Sequence, residues 1–478
     1  MQTRANIHID SWEAYDLLHK GTLALARAER QGIHINLEYI ANKKKELAKT
    51  INKLEQEFME TPFFKYWQKS SHKKVNINSS LQLRDYLYTV LNLKIEKETK
   101  SGKGSTDEEA LKQLNIPALD ILLKMGSLRK MKDTYLDGFE KEQVNGVIHP
   151  FFNLHIPVTY RSSSDSPNFQ NLPNRDEELM KIVRSALYPR LNHTLYEFDF
   201  KGSEVRISCA YHKDPTLIKY LNDPMSDMHG DLAEQLFLVP KFNKKLPEHY
   251  TLRQAAKNGF IFPQFYGSYW KNCAPSLVCE WGKLPSIGKW KKGQGIPMPG
   301  GSFLADHLIQ KGITELGTVS HQGHGNTVTG FMKHVQTIED NFWKKRFPVY
   351  AKWKESWYAD YQEKGYIDML TGFRCSGFMR KNDVTNYPIQ GASFHCLLWS
   401  LIKLDAFLIK GNFDSKIIGQ IHDSIVLDML PEEAPVIIKK IQTIVNEELP
   451  TAWKWINVPI EMEMQQYKLN GSWADKVK

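Results

Sequence analysis

Two short apolar segments, far apart in the chain, each carry an aspartate at a polar break, and together they limit the folds that the chain can adopt. The segment LYEFDF at residues 195–200 alternates apolar and polar side chains, and KIIGQIHDSIVLDM at 416–429 has two apolar runs around a short polar turn. Both patterns predict β-strands, and the second predicts a hairpin. Asp199 and Asp423 fall at the breaks, so a sheet that joins these strands would carry two carboxylates.

The rest of the regular pattern is helical. Apolar residues recur at helical spacing in residues 36–60, 79–93, 253–267 and 331–364. Residues 282–330 hold 11 of the 29 glycines, which predicts an irregular insertion.

A basic loop precedes one predicted helix. Residues 97–106 read KETKSGKGST, and Asp107, Glu108 and Glu109 follow. Acidic residues favour the first turn of a helix, so Ser105 or Thr106 is predicted to be its N-cap. Such a basic loop could bind phosphates.

Composition narrows the class of protein. A formal net charge of +9 favours a polyanionic partner, although in a chain of 478 residues it also fits ordinary solubility. No apolar run approaches the roughly 18 residues of a membrane helix, and the first residues are polar, so we expect no membrane association. We expect a cytoplasmic location, which would be the nucleoid or, for a viral protein, the infected-cell cytoplasm. Five cysteines without a CxxC pair predict reduced thiols.

Two cations lie between the predicted strands. Arg253 and Lys257 are four residues apart and share a helical face, and Tyr266-Gly267 follows. Alone, such a pair is most often a solvated helix face. Combined with two carboxylates, which repel each other unless a divalent cation lies between them, the pair suits a triphosphate bound with Mg²⁺.

The order of these motifs resembles motifs A, B and C of the DNA polymerase I family, or family A. Motif A is D-x4-E-x-R from Asp199, motif B is R-x3-K from Arg253 with a later Tyr-Gly, and motif C is the His-Asp pair at 422–423. Five further segments are similar to the family in the same order: LRKMKDTY from 128, RSSSDSPNFQNLP from 161, DMH from 227, TGFR from 371 and NYPIQG from 386.

The resemblance implies an α+β right-hand polymerase fold with an antiparallel-sheet palm, helical fingers and a helical thumb. The expected division is a short N-terminal segment at 1–35, a thumb at 36–150, a first palm part at 151–235, fingers at 236–365 with a Gly-rich insertion near 271–330, and a second palm part at 366–478.

The resemblance also implies a DNA-templated, primer-dependent DNA polymerase that uses dNTPs. Asp199 and Asp423 would be catalytic and would hold two Mg²⁺ ions, with Mn²⁺ as a substitute. The residues that would contact the dNTP are Arg253, Lys257, His229, Glu204, Phe262 and Tyr266. Those that would contact the primer–template minor groove are Arg161, Gln170, Asn171, Asn386, Gln390 and His422.

One departure from the family concerns spacing. The family usually has eight residues from the lysine to the tyrosine, with an aromatic residue between them; here Tyr266 is nine residues after Lys257. Counting from Lys257 places Ile261 at the aromatic position, and counting from Tyr266 places Phe262 there. Phe262 is preferred because stacking on a nucleotide needs a ring, although Pro263 interrupts the helical pattern.

A second departure keeps two alternatives open. Ser424 stands where the family usually has an acid, which echoes single-subunit RNA polymerases, whereas Glu204 and the segment from Arg161 oppose that alternative. A noncatalytic DNA-binding protein on a polymerase scaffold would fit the charge, but both aspartates and both cations are present.

About 35 residues precede the predicted thumb, so we expect no proofreading domain in this chain. A separate exonuclease or processivity factor is a further candidate partner.

Overall fold

The computed structural model describes residues 6–9, 11–71, 73–95, 97–99, 101–173, 176–240, 242–243, 245–322 and 325–477. For residues 6–9, 321–322 and 325–326 it describes the backbone only.

The first part of the chain is mainly helical. Its elements are β1 (Asn6–Ile9), α1 (Trp12–Gln31), β2 (Ile33–Ile35), α2 (Leu37–Glu60), α3 (Pro62–Ser70), α4 (Ser80–Asp85), a π-helical segment (Tyr86–Val90), α5 (Glu108–Gln113), α6 (Pro117–Arg129), a π-helical segment (Lys130–Leu136) and α7 (Asp137–Glu142). The helices predicted at 36–60 and 79–93 are confirmed.

The cap of α5 differs from the prediction. Asp107, not Ser105 or Thr106, is the N-cap, and its carboxylate accepts a hydrogen bond from the Ala110 N–H at 2.9 Å. The Ser105 hydroxyl accepts from the Asp107 N–H at 3.2 Å instead. A carboxylate serves this position well because it also interacts favourably with the helix dipole.

The middle of the chain alternates strands and helices. Its elements are β3 (Val147–Ile148), β4 (Phe151–Asn153), β5 (Ser163–Asp165), a 3₁₀ turn (Phe169–Asn171), α8 (Glu177–Arg184), β6 (Leu187–Tyr188), β7 (Thr194–Lys201), α9 (Ser203–His212), α10 (Pro215–Asn222) and α11 (Met228–Phe237).

A second helical region follows. Its elements are α12 (Pro247–Ala256), a π-helical segment (Lys257–Ile261), α13 (Phe262–Phe265), α14 (Trp270–Pro275), a π-helical segment (Ser276–Trp281), β8 (Pro297–Met298), β9 (Ser302–Phe303), α15 (Leu304–Gln310), β10 (Val319–Gln322), β11 (Gly325–Val328), α16 (Gly330–Asn341), a π-helical segment (Phe342–Arg346) and α17 (Pro348–Lys364). The helices predicted at 253–267 and 331–364 are present, but the first begins earlier, at Pro247, and both are interrupted.

The C-terminal part completes the sheet. Its elements are β12 (Tyr366–Asp368), β13 (Phe373–Ser376), α18 (Lys381–Lys410), β14 (Lys416–Ile421), β15 (Ser424–Met429), α19 (Ala434–Thr443), a π-helical segment (Ile444–Glu448), α20 (Leu449–Ala452) and β16 (Glu461–Gln466).

The largest sheet joins the two segments that the sequence predicts as strands. It has four antiparallel strands in the order β14–β15–β7–β16. In this register Asp199 lies opposite Ser424 on one side and Glu463 on the other. The tight turn between β14 and β15 consists of His422 and Asp423, and the positive φ of His422, 49°, allows the chain to reverse there.

Buried apolar residues of the described chain form three main clusters. One lies between the large sheet and helices α1 and α18, a second among α2 to α8, and a third among α11 to α17. By length and composition α18 could span a membrane, a feature that the sequence analysis did not predict. However, 67% of its most apolar window is buried within the protein, as in a core helix.

Candidate active site

The sheet brings Asp199 and Asp423 together at one end of a cavity. The Phe200 N–H donates to the Asp423 carbonyl oxygen at 2.9 Å, which fixes the turn beside the end of β7. The Ser203 hydroxyl donates to Asp423 Oδ2 at 3.1 Å. Burial, together with the negative charge of Asp423, raises the pKa of Asp199 to about 7. A carboxyl whose ionisation is disfavoured by a neighbouring carboxylate suits a cation between the two groups.

A third carboxylate is missing from the position after Asp423. The Ser424 hydroxyl donates to the Ile421 carbonyl at 2.9 Å and approaches Glu197 Oε1 at 3.4 Å. Glu197 itself is held by Arg184 at 3.1 Å and by the Tyr467 hydroxyl at 2.9 Å. Among the described residues no group of three or more His, Cys, Asp or Glu side chains is arranged to hold a metal ion. The protein ligands that fit Mg²⁺ here are therefore the two aspartates, a number that leaves positions for phosphate and water oxygens.

The cavity beside the aspartates has a volume of about 350 Å³ and gathers most of the predicted nucleotide ligands. The predicted site residues among its lining are Arg161, Asp199, Glu204, Lys257, Phe262, Tyr266, Asn386, Gln390, His422 and Asp423.

The extra residue between Lys257 and Tyr266 is accommodated by a π-helical turn. Residues Lys257–Ile261 form this turn between α12 and α13, and such a turn holds one more residue than the α-helix does. Phe262 consequently lines the cavity, with its ring centroid 5.3 Å from Lys257 Nζ, whereas Ile261 is only 1% exposed in the core. Pro263 is tolerated because it lies in the first turn of α13.

The other two predicted phosphate ligands lie beside Lys257, outside the cavity lining. Arg253 forms a two-pronged ion pair with Asp227, with Nε 2.9 Å and Nη2 2.8 Å from the carboxylate oxygens. The His229 ring lies 6.3 Å from that of Phe262. Burial and the nearby charges of Arg253 and Lys257 lower the pKa of His229 to about 4, so its imidazole is neutral at pH 7.

Glu204 is held from two sides. Its carboxylate accepts a hydrogen bond from the Tyr266 hydroxyl and forms an ion pair with Arg161. Arg161, predicted as a minor-groove ligand, thus contacts Glu204 in this structure. Both contacts fix the carboxylate at the cavity wall.

A second groove, of about 250 Å³, adjoins the cavity, and its lining includes Arg161, Gln170, Asn171 and His422. Gln170 donates to the Gln420 side chain at 2.8 Å and to Ser162 at 3.0 Å, and accepts from the His422 N–H at 2.6 Å. The sequence analysis gave no role to Gln420 or Ser162. The available signal was a glutamine between apolar residues of a strand.

Asn386 contacts the residues that follow α13. Its side-chain amide donates to the Tyr266 carbonyl at 3.2 Å, and Asn382 donates to the Gly267 carbonyl at 3.3 Å. Gly267 has a φ of 85°, and a Cβ there would lie 2.3 Å from the Asn382 side chain. The close approach therefore requires glycine at this position.

A polar network that the sequence analysis missed lies behind α13. Gln264 is 1% exposed, accepts from the Trp343 indole N–H at 2.6 Å and donates to Glu339. Lys354 Nζ lies 3.3 Å from the Trp343 ring centroid. Burial raises the pKa of Glu339 and lowers that of Lys354 to about 8. Sequence periodicity identifies such positions only as buried, not as paired.

Replacing Gln264 with leucine is expected to lower the free energy of unfolding by about 2–5 kcal/mol. The substitution leaves the Trp343 N–H without its acceptor, which costs about 1–3 kcal/mol, and removes one hydrogen bond to the Glu339 carboxyl, which costs about 1–2 kcal/mol because that carboxyl still accepts from the Trp270 backbone N–H. Urea unfolding followed by tryptophan fluorescence measures the change. The control is Gln310→Leu, at an exposed position at the end of α15. A Gln264→Leu change no larger than that of the control would contradict the network's importance.

Comparison with known proteins gives one consistent family. The model of the family described as DNA polymerase family A matches residues 37–281, about half of the chain. DNA polymerase I of Aquifex aeolicus is 27% identical over 444 residues, which cover 92% of this chain and 64% of that protein. DNA polymerase I of Synechocystis is 25% identical over 448 residues, which cover 92% of this chain and 40% of that protein. The chain thus spans 40% to 64% of the length of these two relatives.

A solved structure shares the fold. The POL domain of Pol1 from M. smegmatis, in complex with DNA primer-template and dNTP, has a TM-score of 0.71. The sequences are 21% identical, and the match covers 96% of this chain and 70% of that chain. The right-hand α+β fold predicted from the sequence is therefore confirmed.

Proposed function

This chain belongs to DNA polymerase family A, and on that premise we propose that it extends a primer 3′ end with dNTPs chosen by a DNA template. The observation that carries the proposal is the pairing of Asp199 and Asp423 at one end of a cavity that Lys257 and Phe262 also line. Carboxylates, a cation and an aromatic ring match a metal-bound triphosphate and a base.

In the proposed reaction the primer 3′ oxygen attacks the α-phosphorus of the dNTP. A new P–O bond forms, the bond between the α-phosphorus and the bridging oxygen breaks, pyrophosphate leaves, and the 3′ proton passes to solvent. Asp199 and Asp423 would hold two Mg²⁺ ions, with Mn²⁺ as a substitute. When bound, the ions would make the primer hydroxyl more acidic and neutralise phosphate charge.

The remaining residues position the substrate. Lys257 would balance phosphate charge, Phe262 would stack on the incoming base, and Glu204 would exclude a ribose 2′ hydroxyl. Arg253 contacts Asp227 through Nε and Nη2, so its Nη1 would be the group that donates to a phosphate oxygen. Neutral His229 would donate one hydrogen bond to a phosphate oxygen.

The proposal keeps the division of the chain: an N-terminal segment at 1–35, a thumb at 36–150, a palm formed by 151–235 and 366–478, and fingers at 236–365. It includes synthesis without proofreading by this chain, a cytoplasmic location, and primer–template contacts by the following residues: Arg161, Gln170, Asn171, Asn386, Gln390 and His422.

Single-nucleotide extension of a primed template tests this function. With Mg²⁺ and one dNTP at a time, the chain should add only the complementary nucleotide, and changing the template base should change which dNTP is added. A mismatched primer end should remain uncut in the same reactions. Addition that ignores the template, or no addition with any dNTP, would contradict the proposal.

DNA binding should weaken steeply with salt. Lys43 and Lys44 of α2 are ion-paired, but Lys45, Lys49 and, in the loop before α5, Lys103 are exposed or nearly so; Lys100 lies outside the described residues. Each phosphate contact contributes a slope of about −0.9 in log affinity against log salt. Replacing Lys45, Lys49 and Lys103 with alanine should therefore reduce the slope by about 2–3, measured by fluorescence anisotropy at about 50–200 mM salt.

The matched control replaces Lys65 and Lys112, which pair with Glu60 and Glu108. This control should leave the slope nearly unchanged. An affinity of the unmodified chain that does not vary with salt would remove these lysines from the interface.

A further inference from the structure

The segment after the family match carries a concentration of positive charge. Residues 282–312 contain five lysines and one aspartate, a surplus of four charges in a chain with a net charge of +9. The segment begins directly after residue 281, where the match to the family ends. We call its five lysines the lysine patch; they are Lys283, Lys289, Lys291, Lys292 and Lys311.

The lysine patch is exposed and lacks internal partners. All five side chains are solvent-exposed, and none forms an ion pair with a residue that the structure describes. Asp306, the one acid of the segment, accepts from the Phe303 and Gly293 N–H groups at 3.0 and 3.1 Å. Glu315 faces Lys289 in a backbone bridge without a side-chain ion pair. The positive charge is therefore available to an external anion.

A buried anchor fixes the lysines in place. Trp290, between Lys289 and Lys291, is 4% exposed, and its indole N–H donates to the Pro285 carbonyl at 3.0 Å. Its backbone N–H donates to the Thr314 carbonyl at 2.7 Å. Because the Trp290 ring already holds the loop in place, the binding of a ligand by its lysines does not cost backbone entropy of the loop.

The patch belongs to the same packed unit as the fingers helix. Leu284, Trp290 and Met298 share an apolar cluster with Phe260 and Phe265, which flank the cavity-lining Phe262. The chain passes from Tyr266, which lines the cavity, through α14 to Trp281 and then directly to Lys283. A template strand that left the cavity on the side of α14 would approach the patch.

We propose that the lysine patch binds the phosphate backbone of the unpaired template strand ahead of the active site. This inference rests on the proposed function, which supplies that strand. Flexible lysine side chains are point charges, so they hold phosphates without reading the sequence of bases. The contact would retain the template ahead of synthesis.

The test compares two primer–templates with the same duplex, one with a template overhang of a single nucleotide and one with an overhang of about 15 nucleotides. The unmodified chain should bind the long-overhang DNA more tightly. If three phosphates are contacted, this advantage should fall roughly 20-fold between about 50 and 200 mM salt, since each contact to a single strand contributes a slope of about −0.7. Replacing the five lysines with glutamine should abolish the advantage.

Three controls make the result specific. The five-fold Lys→Arg variant keeps the charge and should keep the advantage, and binding of the short-overhang DNA should be the same for all variants. Lys291→Gln with Lys292→Gln removes only two exposed charges and should reduce the advantage in part, even if the five-fold Gln variant folds poorly. Thermal unfolding checks that each variant is folded.

An unchanged advantage in the glutamine variants would overturn the proposal, and so would an equal loss with both DNAs, which would assign the patch to the duplex. Failure of the proposed function is a separate result. It would appear as absent nucleotide addition by the unmodified chain on both DNAs, while the binding comparison remained measurable.

Discussion

Replacing Asp199 or Asp423 with alanine is expected to reduce the rate of primer extension by at least about 10³-fold. Both carboxylates line the same cavity, and each would supply a metal ligand. Metal ions contribute several kcal/mol of charge stabilisation in the transition state, and about 4 kcal/mol corresponds to a factor of about 10³. Rapid-quench measurement of single-nucleotide addition gives the rate.

DNA affinity separates this loss from misfolding. The two variants should bind primer–template at least as tightly as the unmodified chain, because removing a carboxylate takes no positive charge from the cleft. The matched control is Asp340→Ala, an exposed aspartate on α16 that pairs with Lys344. Extension near the unmodified rate in either site variant would show that the assignment of the metal ligands is wrong.

Replacing Glu204 with alanine is expected to raise ribonucleotide incorporation by about 10²- to 10⁴-fold relative to dNTP incorporation. Tyr266 and Arg161 hold the Glu204 carboxylate against the cavity wall. A 2′ hydroxyl there would clash with the carboxylate or displace it from these partners. Rejection by unpaired buried polar groups can reach about 10⁴–10⁵. Efficiency with dNTPs should fall, because the loss of Glu204 leaves Arg161 without a counter-charge. The fall should be only moderate, because Glu204 holds no metal.

Glu204→Gln is the matched variant for this prediction. Glutamine keeps the volume of the side chain but loses the ion pair with Arg161, so its ribonucleotide discrimination should lie between those of the unmodified chain and the alanine variant. The measurement is kcat/KM for a dNTP and the corresponding NTP on one template. An unmodified chain that prefers NTPs would favour the RNA polymerase alternative that Ser424 suggests.

The parts of the fold that follow from periodicity could be predicted. Strands at 195–200 and 416–429 and the helix at 36–60 have clear patterns of apolar residues, and the antiparallel register then places Asp199 beside the turn that carries Asp423. The choice of Phe262 over Ile261 was also available, because only a ring suits a base. What the sequence could not give is the π-helical turn that makes this choice compatible with Lys257, since the turn depends on packing on both sides of the helix.

The polar interactions were less predictable. Gln264 lies more than 70 residues before Glu339 and Trp343 in the chain and meets them only after α13 packs against α16 and the segment that follows it. The ion pair between Arg253 and Asp227 likewise depends on how α11 and α12 pack. Side chains that pair across elements leave no periodic signal, because each partner alone has the pattern of an ordinary exposed or buried residue.

The most direct test of the central claim is the number of divalent ions in the assembled site. Mn²⁺ binding can be followed by electron paramagnetic resonance with a primer that lacks a 3′ hydroxyl, its template and the matching dNTP, with Mn²⁺ bound to free dNTP subtracted. If Asp199 and Asp423 hold the ions, the unmodified complex should bind two Mn²⁺ ions, and Asp199→Asn and Asp423→Asn should each lose at least one while still binding DNA. Two bound ions in both asparagine variants, or none attributable to the unmodified protein, would contradict the account.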